Sequence, residues 1–116
     1  MNIKVGTDIL DKRRFLKSCK SGGNTFLEKL FTPYEQRENS QEQLASIFCL
    51  KEALVKALEL PNSSWLNINT TRKDNGKVDC SFTNEDIARR ILSLDTSISH
   101  EREMIIAVAV VIIDNK

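Results

Sequence analysis

The side chains of this sequence that could do chemistry lie close together in residues 48–58, an otherwise apolar segment that carries Lys51, Glu52 and Lys56. Such a segment is typical of a buried helix. At about 100° per residue, the three charged side chains fall in one wedge of that helix. Glu52 and Lys56 have the i,i+4 spacing of a solvated surface pair, which is the simplest interpretation. A second carboxylate, Asp8, follows an N-terminal strand and favours an active site instead.

The elements that would position these side chains begin with a strand over residues 3–7, whose Gly6 would let another group approach the backbone closely. A helical pattern over residues 11–20 follows, and the Ser-Gly-Gly-Asn run of residues 21–24 ends it. Residues 26–31 resume as a short helical turn. The start of the chain is therefore predicted to be a strand, a helix and a separate helical turn.

Two capping-box patterns introduce the next helices. Residues 32–35 (Thr-Pro-Tyr-Glu) and residues 40–43 (Ser-Gln-Glu-Gln) have the spacing of a helix start. The second box opens the central helix, which we predict to run to about Leu60 before Pro61 and the polar residues after it end it. This central helix carries the charged wedge.

Beyond the central helix the pattern changes to β. Residues 65–70 alternate as a half-exposed strand, residues 73–76 have the Lys-Asp-Asn-Gly sequence of a hairpin turn, and residues 78–82 form the partner strand. Residues 96–99 predict another short strand. Between these strands, Thr83 is expected to cap a short helix whose inner side carries Ile87, Ala88, Ile91 and Leu92.

The last element, residues 105–113, is a run of nine apolar residues rich in Val and Ile. It is too short to cross a bilayer as a helix. It is typical of a strand buried on both faces, which a small domain achieves by packing against another subunit. The elements together predict an α+β fold with a small antiparallel sheet packed on the long central helix, in a single domain over residues 1–116.

The composition excludes several classes of function. With a net charge of +1, no overall field attracts nucleic acid or a membrane surface. The few aromatic residues argue against an RNA-binding domain that would use the basic residues near position 14. Cys19, Cys49 and Cys80 lie too far apart for paired zinc ligands and are odd in number, so we expect unpaired thiols in a cytoplasmic protein. Met1 is followed by a strand pattern and charges rather than by a signal peptide.

Three motifs carry a family resemblance: Gly6-Thr7-Asp8-Ile9, the KEAxxKAL pattern of residues 51–58, and Ser97-Ile98-Ser99-His100 before an aliphatic strand. At these spacings, and over residues 3–113, they resemble the holo-acyl-carrier-protein synthase family, the small 4′-phosphopantetheinyl transferases. The resemblance implies transfer of 4′-phosphopantetheine from coenzyme A to a serine of apo-acyl carrier protein, in fatty acid biosynthesis, with release of adenosine 3′,5′-bisphosphate. It also implies a homotrimer with active sites at the subunit clefts.

The same resemblance assigns roles to the charged wedge. Asp8 and Glu52 would bind Mg²⁺ through oxygen, with water and phosphate completing the octahedron. Lys56 would reach the phosphates, with help from Lys51. The serine proton would go either to Glu52 directly or to a metal-bound water, and both routes fit the sequence. Glu52 and Lys56 are thus the expected catalytic residues.

The residues expected to bind the substrates follow from the resemblance as well. Gly76 of the hairpin turn and His100 would bind coenzyme A, with His100 near its nucleotide end. The first helix would recognise the acidic carrier protein through Arg13, Arg14, Lys17 and Lys20. Any of these could instead be an ordinary turn or surface residue, and the chain could be a non-catalytic carrier-protein-binding module that retains the fold. Arginine, glycine, proline and an aromatic residue are common in the family where this chain has Ile47, Glu59, Val78 and Met104.

Overall fold

The computed structural model, which describes residues 1–115, contains five strands and four α-helices in that range. In chain order they are β1 (Asn2–Asp11), α1 (Lys12–Leu30), α2 (Pro33–Glu38), α3 (Gln41–Leu58), a 3₁₀ turn (Trp65–Asn67), β2 (Ile68–Arg72), β3 (Val78–Phe82), α4 (Glu85–Arg90), β4 (Ile91–Glu101) and β5 (Met104–Ile113). Strands β1, β5 and β4 pair in that order as an antiparallel sheet that packs on α3, and β2 and β3 form a separate hairpin. The predicted α+β architecture is confirmed. None of the helices in the described range is long and apolar enough to cross a membrane.

Helix α3 is the centre of the core, and local hydrogen bonds fix both of its ends. At the start, Ser40 Oγ accepts a hydrogen bond from the Gln43 amide (3.1 Å), and the Gln43 side chain accepts one from the Ser40 amide (2.9 Å). This is the capping box that the sequence predicts. At the other end, the amides of Glu59 and Leu60 donate to carbonyls of the last turn (3.3 and 3.0 Å). Glu59 takes a left-handed φ of 53°, which usually belongs to glycine.

Strand β1 lies directly against α3 because residue 6 is glycine. A Cβ on Gly6 would lie 2.0 Å from the carbonyl oxygen of Ala53 and 2.6 Å from the amide nitrogen of Ala57. No side chain fits into that gap, since non-bonded heavy atoms pack best at about 3.5–4.0 Å. The predicted close approach at Gly6 is confirmed, and it places the next inward residue of β1, Asp8, at the surface of the helix.

The three-stranded sheet has one buried face and one exposed face. Along β5 inward and outward residues alternate, and the inward ones are buried in the core. The outward face is apolar, and its exposed large side chains include Ile3, Val5 and Ile9 of β1 and Ile106 and Val110 of β5. Within one chain α3 covers only one face of residues 105–113, so the predicted burial of both faces needs a second subunit and stays a prediction.

Helix α1 is broken near its middle by Gly23, whose φ of 57° lies outside the helical region. The break falls in the Ser-Gly-Gly-Asn run that was expected to end the first helix. The chain resumes its helix at once and continues to Leu30, so that the predicted helix and helical turn form one kinked element. Across the kink, the rings of Phe15 and Phe26 lie 5.8 Å apart, and Phe48 of α3 lies 5.7 Å from Phe15.

Two short segments after α3 differ from the prediction. Residues 65–67 form a 3₁₀ turn, and strand β2 begins only after it. Asn84 rather than Thr83 caps α4, because the Asn84 side chain accepts a hydrogen bond from the Ile87 amide at 3.1 Å. The Thr83 hydroxyl instead donates to the carbonyl of Asn67 (3.3 Å) and closes the base of the hairpin.

Strand β4 is much longer than the predicted residues 96–99. It begins at Ile91, so Ile91 and Leu92 belong to the strand and not to the inner side of α4, and Ala88 is exposed. Strand β4 pairs with β5 along its length, with one irregularity near its start. Backbone pairing with this strongly β-forming neighbour outweighs the weak strand propensity of a segment rich in serine and charge.

Candidate active site

Asp8 and Lys56 meet where β1 packs on α3. Asp8 follows Gly6 on the inward face of β1, so its carboxylate reaches the helix. Its Oδ1 accepts a hydrogen bond from Lys56 Nζ at 3.1 Å. The Asp8 side chain is largely buried, whereas that of Lys56 is mostly exposed. The pair therefore lies at the rim of the contact between strand and helix, where a ligand can reach it.

Glu52 lies one helical turn before Lys56, close enough to Asp8 for their charges to interact. Its Oε1 accepts a hydrogen bond from the indole nitrogen of Trp65 at 3.1 Å. Burial raises the pKa of Glu52 most strongly; the Trp65 hydrogen bond lowers it, the Asp8 charge raises it and the Lys56 ammonium lowers it. The structure thus brings together the two carboxylates and the lysine singled out from the sequence. The two carboxylates share one lysine, which leaves a local negative charge.

The carboxylates of Asp8 and Glu52 suit a hard divalent cation. Carboxylate oxygens are ligands that Mg²⁺ prefers, and proteins often hold this ion by one or two of them while water and substrate phosphates complete the shell. Within residues 1–115, no group of three or more His, Cys, Asp or Glu side chains is arranged to hold a metal ion. A cation held by the carboxylates of Asp8 and Glu52 alone would keep positions for water and phosphate.

Cys49 supports the backbone beneath Asp8. Its Sγ lies 3.4 Å from the carbonyl oxygen of Asp8 and 3.7 Å from that of Ile105, so the single S–H can donate to either and links α3 to β1 and β5. Burial, together with the charge of Asp8, raises the pKa of Cys49 to about 12. The thiol therefore stays protonated at neutral pH and acts as a buried donor, and Cys49 is unpaired, as expected from the sequence.

Lys51 does not face the same side of α3 as Glu52 and Lys56, contrary to the prediction. Its ammonium is fully buried and donates to Glu35 Oε1 and to the carbonyl of Leu30, both at 2.8 Å. The five-residue step from Lys51 to Lys56 corresponds to about 140° of helical rotation, so the wedge is wide enough for its two edges to meet different neighbours. Burial lowers the pKa of Lys51, and Glu35 opposes that shift. The expected help of Lys51 in binding phosphate is therefore corrected: its ammonium is turned into the core.

Glu35 is the residue that sequence reasoning missed. It was expected as the glutamate of a capping box, and its Oε1 does accept a hydrogen bond from the Thr32 amide at 2.8 Å. Its other oxygen, Oε2, accepts hydrogen bonds from the amide (3.1 Å) and the hydroxyl of Thr70. Together with Lys51, this buried carboxylate joins α2, α3 and β2. The apolar run of residues 47–50 directly before Lys51 was the available signal that this lysine could be buried and would then need a buried acid as its partner.

Apart from the Asp8 site, a second cleft of about 390 Å³ is lined by Gly76 and His100, which were expected to bind coenzyme A. Gly76 lies in the predicted hairpin turn with a φ of 88°, and His100 Nε2 lies 3.5 Å from Ser46 Oγ. Arg72 adds a positive charge and donates to the Gly76 carbonyl at 3.2 Å. The other side chains lining the cleft include Lys77, Val78, Thr96 and Ser97, but not Asp8, Glu52 or Lys56.

The four basic residues of α1 differ in their surroundings. Arg13 pairs with Asp11 at 3.0 Å, so its charge is already balanced. Arg14 and Lys17 line a hollow of about 540 Å³ whose apolar lining is Leu10, Phe15, Phe26 and Phe48. Lys20 is exposed one turn beyond Lys17. A basic rim around an apolar hollow is thus built mainly by Arg14 and Lys17.

Comparison with known proteins identifies the family. The sequence profile of the 4′-phosphopantetheinyl transferase superfamily matches residues 4–109. A holo-[acyl-carrier-protein] synthase of Dehalococcoides mccartyi is 35% identical over 113 aligned residues, covering 91% of this chain and 95% of that protein; one of Finegoldia magna is 32% identical over 122, covering 99% and 100%. The crystal structure of the Helicobacter pylori holo-[acyl-carrier-protein] synthase in complex with coenzyme A has a TM-score of 0.80 at 32% identity, covering 92% of this chain and 98% of that chain. This chain therefore belongs to the 4′-phosphopantetheinyl transferase superfamily.

Proposed function

We propose that this protein is a holo-[acyl-carrier-protein] synthase, which transfers the 4′-phosphopantetheine group of coenzyme A to a serine of apo-acyl carrier protein. One observation carries the proposal: Asp8, Glu52 and Lys56 come together in a chain that relatives of that name match over nearly its whole length. The reaction would serve fatty acid biosynthesis in the cytoplasm, which agrees with the three free cysteines.

The reaction sets demands that the site can meet. The serine oxygen attacks the phosphorus that carries the pantetheine arm, the bond from that phosphorus to the bridging oxygen breaks, and adenosine 3′,5′-bisphosphate leaves. Asp8 and Glu52 would hold Mg²⁺, which supplies positive charge to the pyrophosphate. Glu52 is the carboxylate with a raised pKa, which suits a group that accepts the serine proton.

Lys56 would contact the phosphates directly. An ammonium group has three donors, and only one of those of Lys56 is used by Asp8. Because the side chain is mostly exposed, it can bind a phosphate oxygen while it keeps its contact with Asp8. The positive charge would stabilise the anionic leaving group as the bond breaks.

The nucleotide end of coenzyme A would occupy the second cleft. Gly76 offers backbone without a side chain, Arg72 offers a positive charge, and His100 offers a ring nitrogen at the rim. This cleft and the Asp8 site do not share lining residues within one chain. The family resemblance implies an oligomer with active sites at its subunit clefts, in which a coenzyme would contact this cleft on one subunit and the Asp8 site on another.

The exposed apolar face of the sheet supports an oligomer, which the family resemblance implies is a homotrimer. Val5 lies opposite Val110, and Ile9 lies opposite Ile106, so the exposed side chains form one continuous patch on β1 and β5. A patch of this kind marks a protein interface. Light scattering should give the mass of three chains. Val110→Glu should yield folded monomers, whereas Ala109→Glu, on the buried face, should unfold the protein; a monomeric wild type contradicts the trimer.

The hollow on α1 would receive the acidic carrier protein. Rim charges act mainly on the association rate and lose effect as salt rises. Arg14→Glu with Lys17→Glu should raise the KM for the carrier protein about tenfold or more at low salt and leave the KM for coenzyme A unchanged. Arg13→Ala is the matched control, since Asp11 already balances that charge. Unchanged carrier-protein kinetics in the double variant would remove α1 from the docking surface.

The decisive experiment is mass spectrometry of an apo-acyl carrier protein incubated with the enzyme and coenzyme A. The carrier protein should gain the mass of phosphopantetheine with Mg²⁺ and not with EDTA. Asp8→Ala and Glu52→Ala should each lower kcat/KM at least about a hundredfold, since each removes one of two carboxylate ligands.

The control for these variants is Glu38→Gln, which neutralises an exposed carboxylate of α2 and should keep full activity. Carrier-protein binding without any mass gain would instead identify a non-catalytic binding module. Wild-type turnover in both site variants at saturating Mg²⁺ would overturn the assignment of the site.

A further inference from the structure

Trp65 is the single tryptophan of the chain, and it contacts one of the two carboxylates of the candidate active site. Its indole nitrogen donates a hydrogen bond to Glu52 Oε1 at 3.1 Å. We propose that Trp65 is a positioning residue: it fixes the Glu52 carboxylate so that Oε2 remains the oxygen that binds a divalent cation. This inference rests on the proposed function, because it concerns the cation that the reaction would use.

The position of Trp65 is itself fixed from two sides. Its ring lies 6.0 Å from that of Phe48, between centroids, and Phe48 lies one helical turn before Glu52 on α3. The 3₁₀ turn that carries Trp65 is closed by a hydrogen bond from the Asn67 amide to the Ser64 carbonyl (3.1 Å), and Ser64 is buried. The donor therefore reaches Glu52 from a separate, well-anchored element.

The chemistry of an indole suits this task. An indole N–H is neutral and can only donate. It orients a carboxylate without bringing a positive charge that would compete with a cation. Within residues 1–115, Trp65 is the only hydrogen-bond donor to the Glu52 carboxylate, and Oε2 accepts no hydrogen bond.

Fixing Glu52 in advance also favours binding for an entropic reason. A glutamate side chain loses rotamer freedom when it binds a ligand. The hydrogen bond from Trp65 and the helix that carries Glu52 have already removed part of that freedom. A ligand that finds the carboxylate oriented binds more tightly than one that must order it.

The test uses Trp65→Phe, which keeps a ring to pack on Phe48 and lacks the N–H. Mn²⁺, a probe for Mg²⁺ sites, is titrated into the full-length protein without substrates while electron paramagnetic resonance follows the free ion. The variant should have a Tm in EDTA close to that of the wild type. Its Kd for Mn²⁺ should rise about tenfold, since partners that orient metal ligands typically contribute 10–100-fold to affinity.

Two comparisons separate orientation from packing. Phe48→Leu loses the ring contact but keeps an apolar side chain beside the indole and the N–H donor itself, so its Kd for Mn²⁺ should rise clearly less than that of Trp65→Phe. The benzothiophene analogue of tryptophan, incorporated at position 65, replaces only the N–H by sulfur and should behave like Trp65→Phe. This second replacement keeps the test valid if the smaller ring of phenylalanine impairs folding.

The fluorescence of Trp65 provides an independent signature. Mg²⁺ should change the emission of the wild type, because the ion binds the carboxylate to which the indole donates, and it should leave the emission of Glu52→Gln unchanged. Equal Mn²⁺ affinity in the wild type and in both position-65 replacements overturns the positioning role and leaves the proposed function intact. A wild type that binds no Mn²⁺ overturns the cation site and this inference with it.

Discussion

Two ion pairs on helix α3 differ in how far they are buried. Lys51 and Glu35 are 0% and 1% exposed and lie 2.8 Å apart, whereas Lys56 and Asp8 are 57% and 15% exposed and lie 3.1 Å apart. Both lysines belong to the KEAxxKAL pattern, and both acids come from other elements. The pairs differ in what surrounds them, and this difference separates a residue that holds the fold from one that can act on a ligand.

The buried pair has its hydrogen-bonding capacity used within the protein. Lys51 also donates to the Leu30 carbonyl and lies 5.3 Å from the ring centroid of Phe31, and Glu35 also accepts hydrogen bonds from Thr32 and Thr70. Such a network leaves no donor or acceptor for a ligand. It stabilises the fold by joining α2, α3 and β2.

The pair at the rim, Lys56 and Asp8, leaves hydrogen-bond donors and acceptors unused. Lys56 has donors to spare, and Asp8 shares it with Glu52, whose second oxygen takes no hydrogen bond within residues 1–115. Partly exposed groups with unused donors and acceptors are where binding and catalysis can occur at small cost in stability. We therefore expect changes to Lys51 to affect folding and changes to Lys56 to affect turnover.

The largest expected effect comes from replacing each lysine by methionine. Lys51→Met leaves the Glu35 carboxylate buried without its counter-ion, which should lower the free energy of unfolding by about 3–5 kcal/mol. Lys56→Met breaks a partly exposed pair and should lower it by less than about 1 kcal/mol. Urea unfolding followed by Trp65 fluorescence measures both values, and the activity of Lys56→Met should fall while its fold stays intact.

A second replacement tests whether the Lys51 effect arises from the stranded charge. Glu35→Gln in the Lys51→Met background removes that charge and keeps an acceptor for the capping box, so it should restore part of the lost stability. If Lys51→Met alone proved as stable as Lys56→Met, the contrast between the two pairs would have no energetic basis.

The next effect concerns the contact between Gly6 and α3, which places Asp8 beside the helix. Gly6→Ala forces a Cβ against the backbone of Ala53, and we expect it to lower the free energy of unfolding by about 3 kcal/mol. It should also move Asp8 away from Lys56 and lower kcat/KM. Thr7→Ala, at the adjacent exposed position of β1, should change stability by no more than about 0.5 kcal/mol. Similar stability of both variants would show that β1 can shift along the helix.

A smaller effect concerns pH and Glu52. Its folded-state pKa is raised, chiefly by burial, so ionisation destabilises the fold as pH rises from the unfolded value, about 4.3, through the folded one. Glu52→Gln avoids that cost and keeps an acceptor for Trp65. In EDTA at pH 7.5 the variant should be more stable than the wild type, by less than about 1 kcal/mol because the group is partly solvated.

The sign of this difference is checked by repeating the urea unfolding near pH 4. Near that pH, Glu52 is mostly protonated in both states, because its unfolded pKa is about 4.3, so most of the advantage of Glu52→Gln should disappear. Glu38→Gln serves as the control, because its carboxylate is exposed, and it should show little difference at either pH. An advantage that grew on acidification would contradict the burial of an ionised Glu52.

Local signals predicted the features that depend on neighbours in sequence. Capping boxes located the start of α3, Gly6 indicated the close backbone contact, and Gly23 broke α1 where the polar run stands. These features depend on a few adjacent residues, so the sequence is sufficient to find them. That Asp8 and the charged wedge belong to one site was implied by the family resemblance.

Features that depend on contacts between elements distant in sequence could not be predicted from the sequence. A helical wheel gives the direction of Lys51 but not what lies there, and the buried Glu35 comes from a different helix. Trp65 was assigned to a strand. Its hydrogen bond to Glu52, 13 positions earlier, joins α3 to the turn beyond the helix end, and no periodic pattern in the sequence describes that contact. The length of β4 likewise depends on its pairing with β5. In each case tertiary contacts decide, and local propensity does not.

The smallest expected effect concerns a third lysine–carboxylate pair, Lys4 with Glu59, which is the most exposed of the three at 32% and 78% and lies at 3.4 Å. Such a pair contributes at most about 1 kcal/mol. Glu59 also ends α3 with a φ of 53°, a conformation that costs a residue with a Cβ about 1–2 kcal/mol. Glu59→Gly should therefore raise the free energy of unfolding by about 0.5–1 kcal/mol after the greater freedom of glycine in the unfolded chain is counted. Glu59→Ala loses the same ion pair but keeps the Cβ, so urea unfolding should rank glycine above glutamate and glutamate at or above alanine; an alanine variant as stable as the glycine one would show that backbone strain at position 59 is negligible.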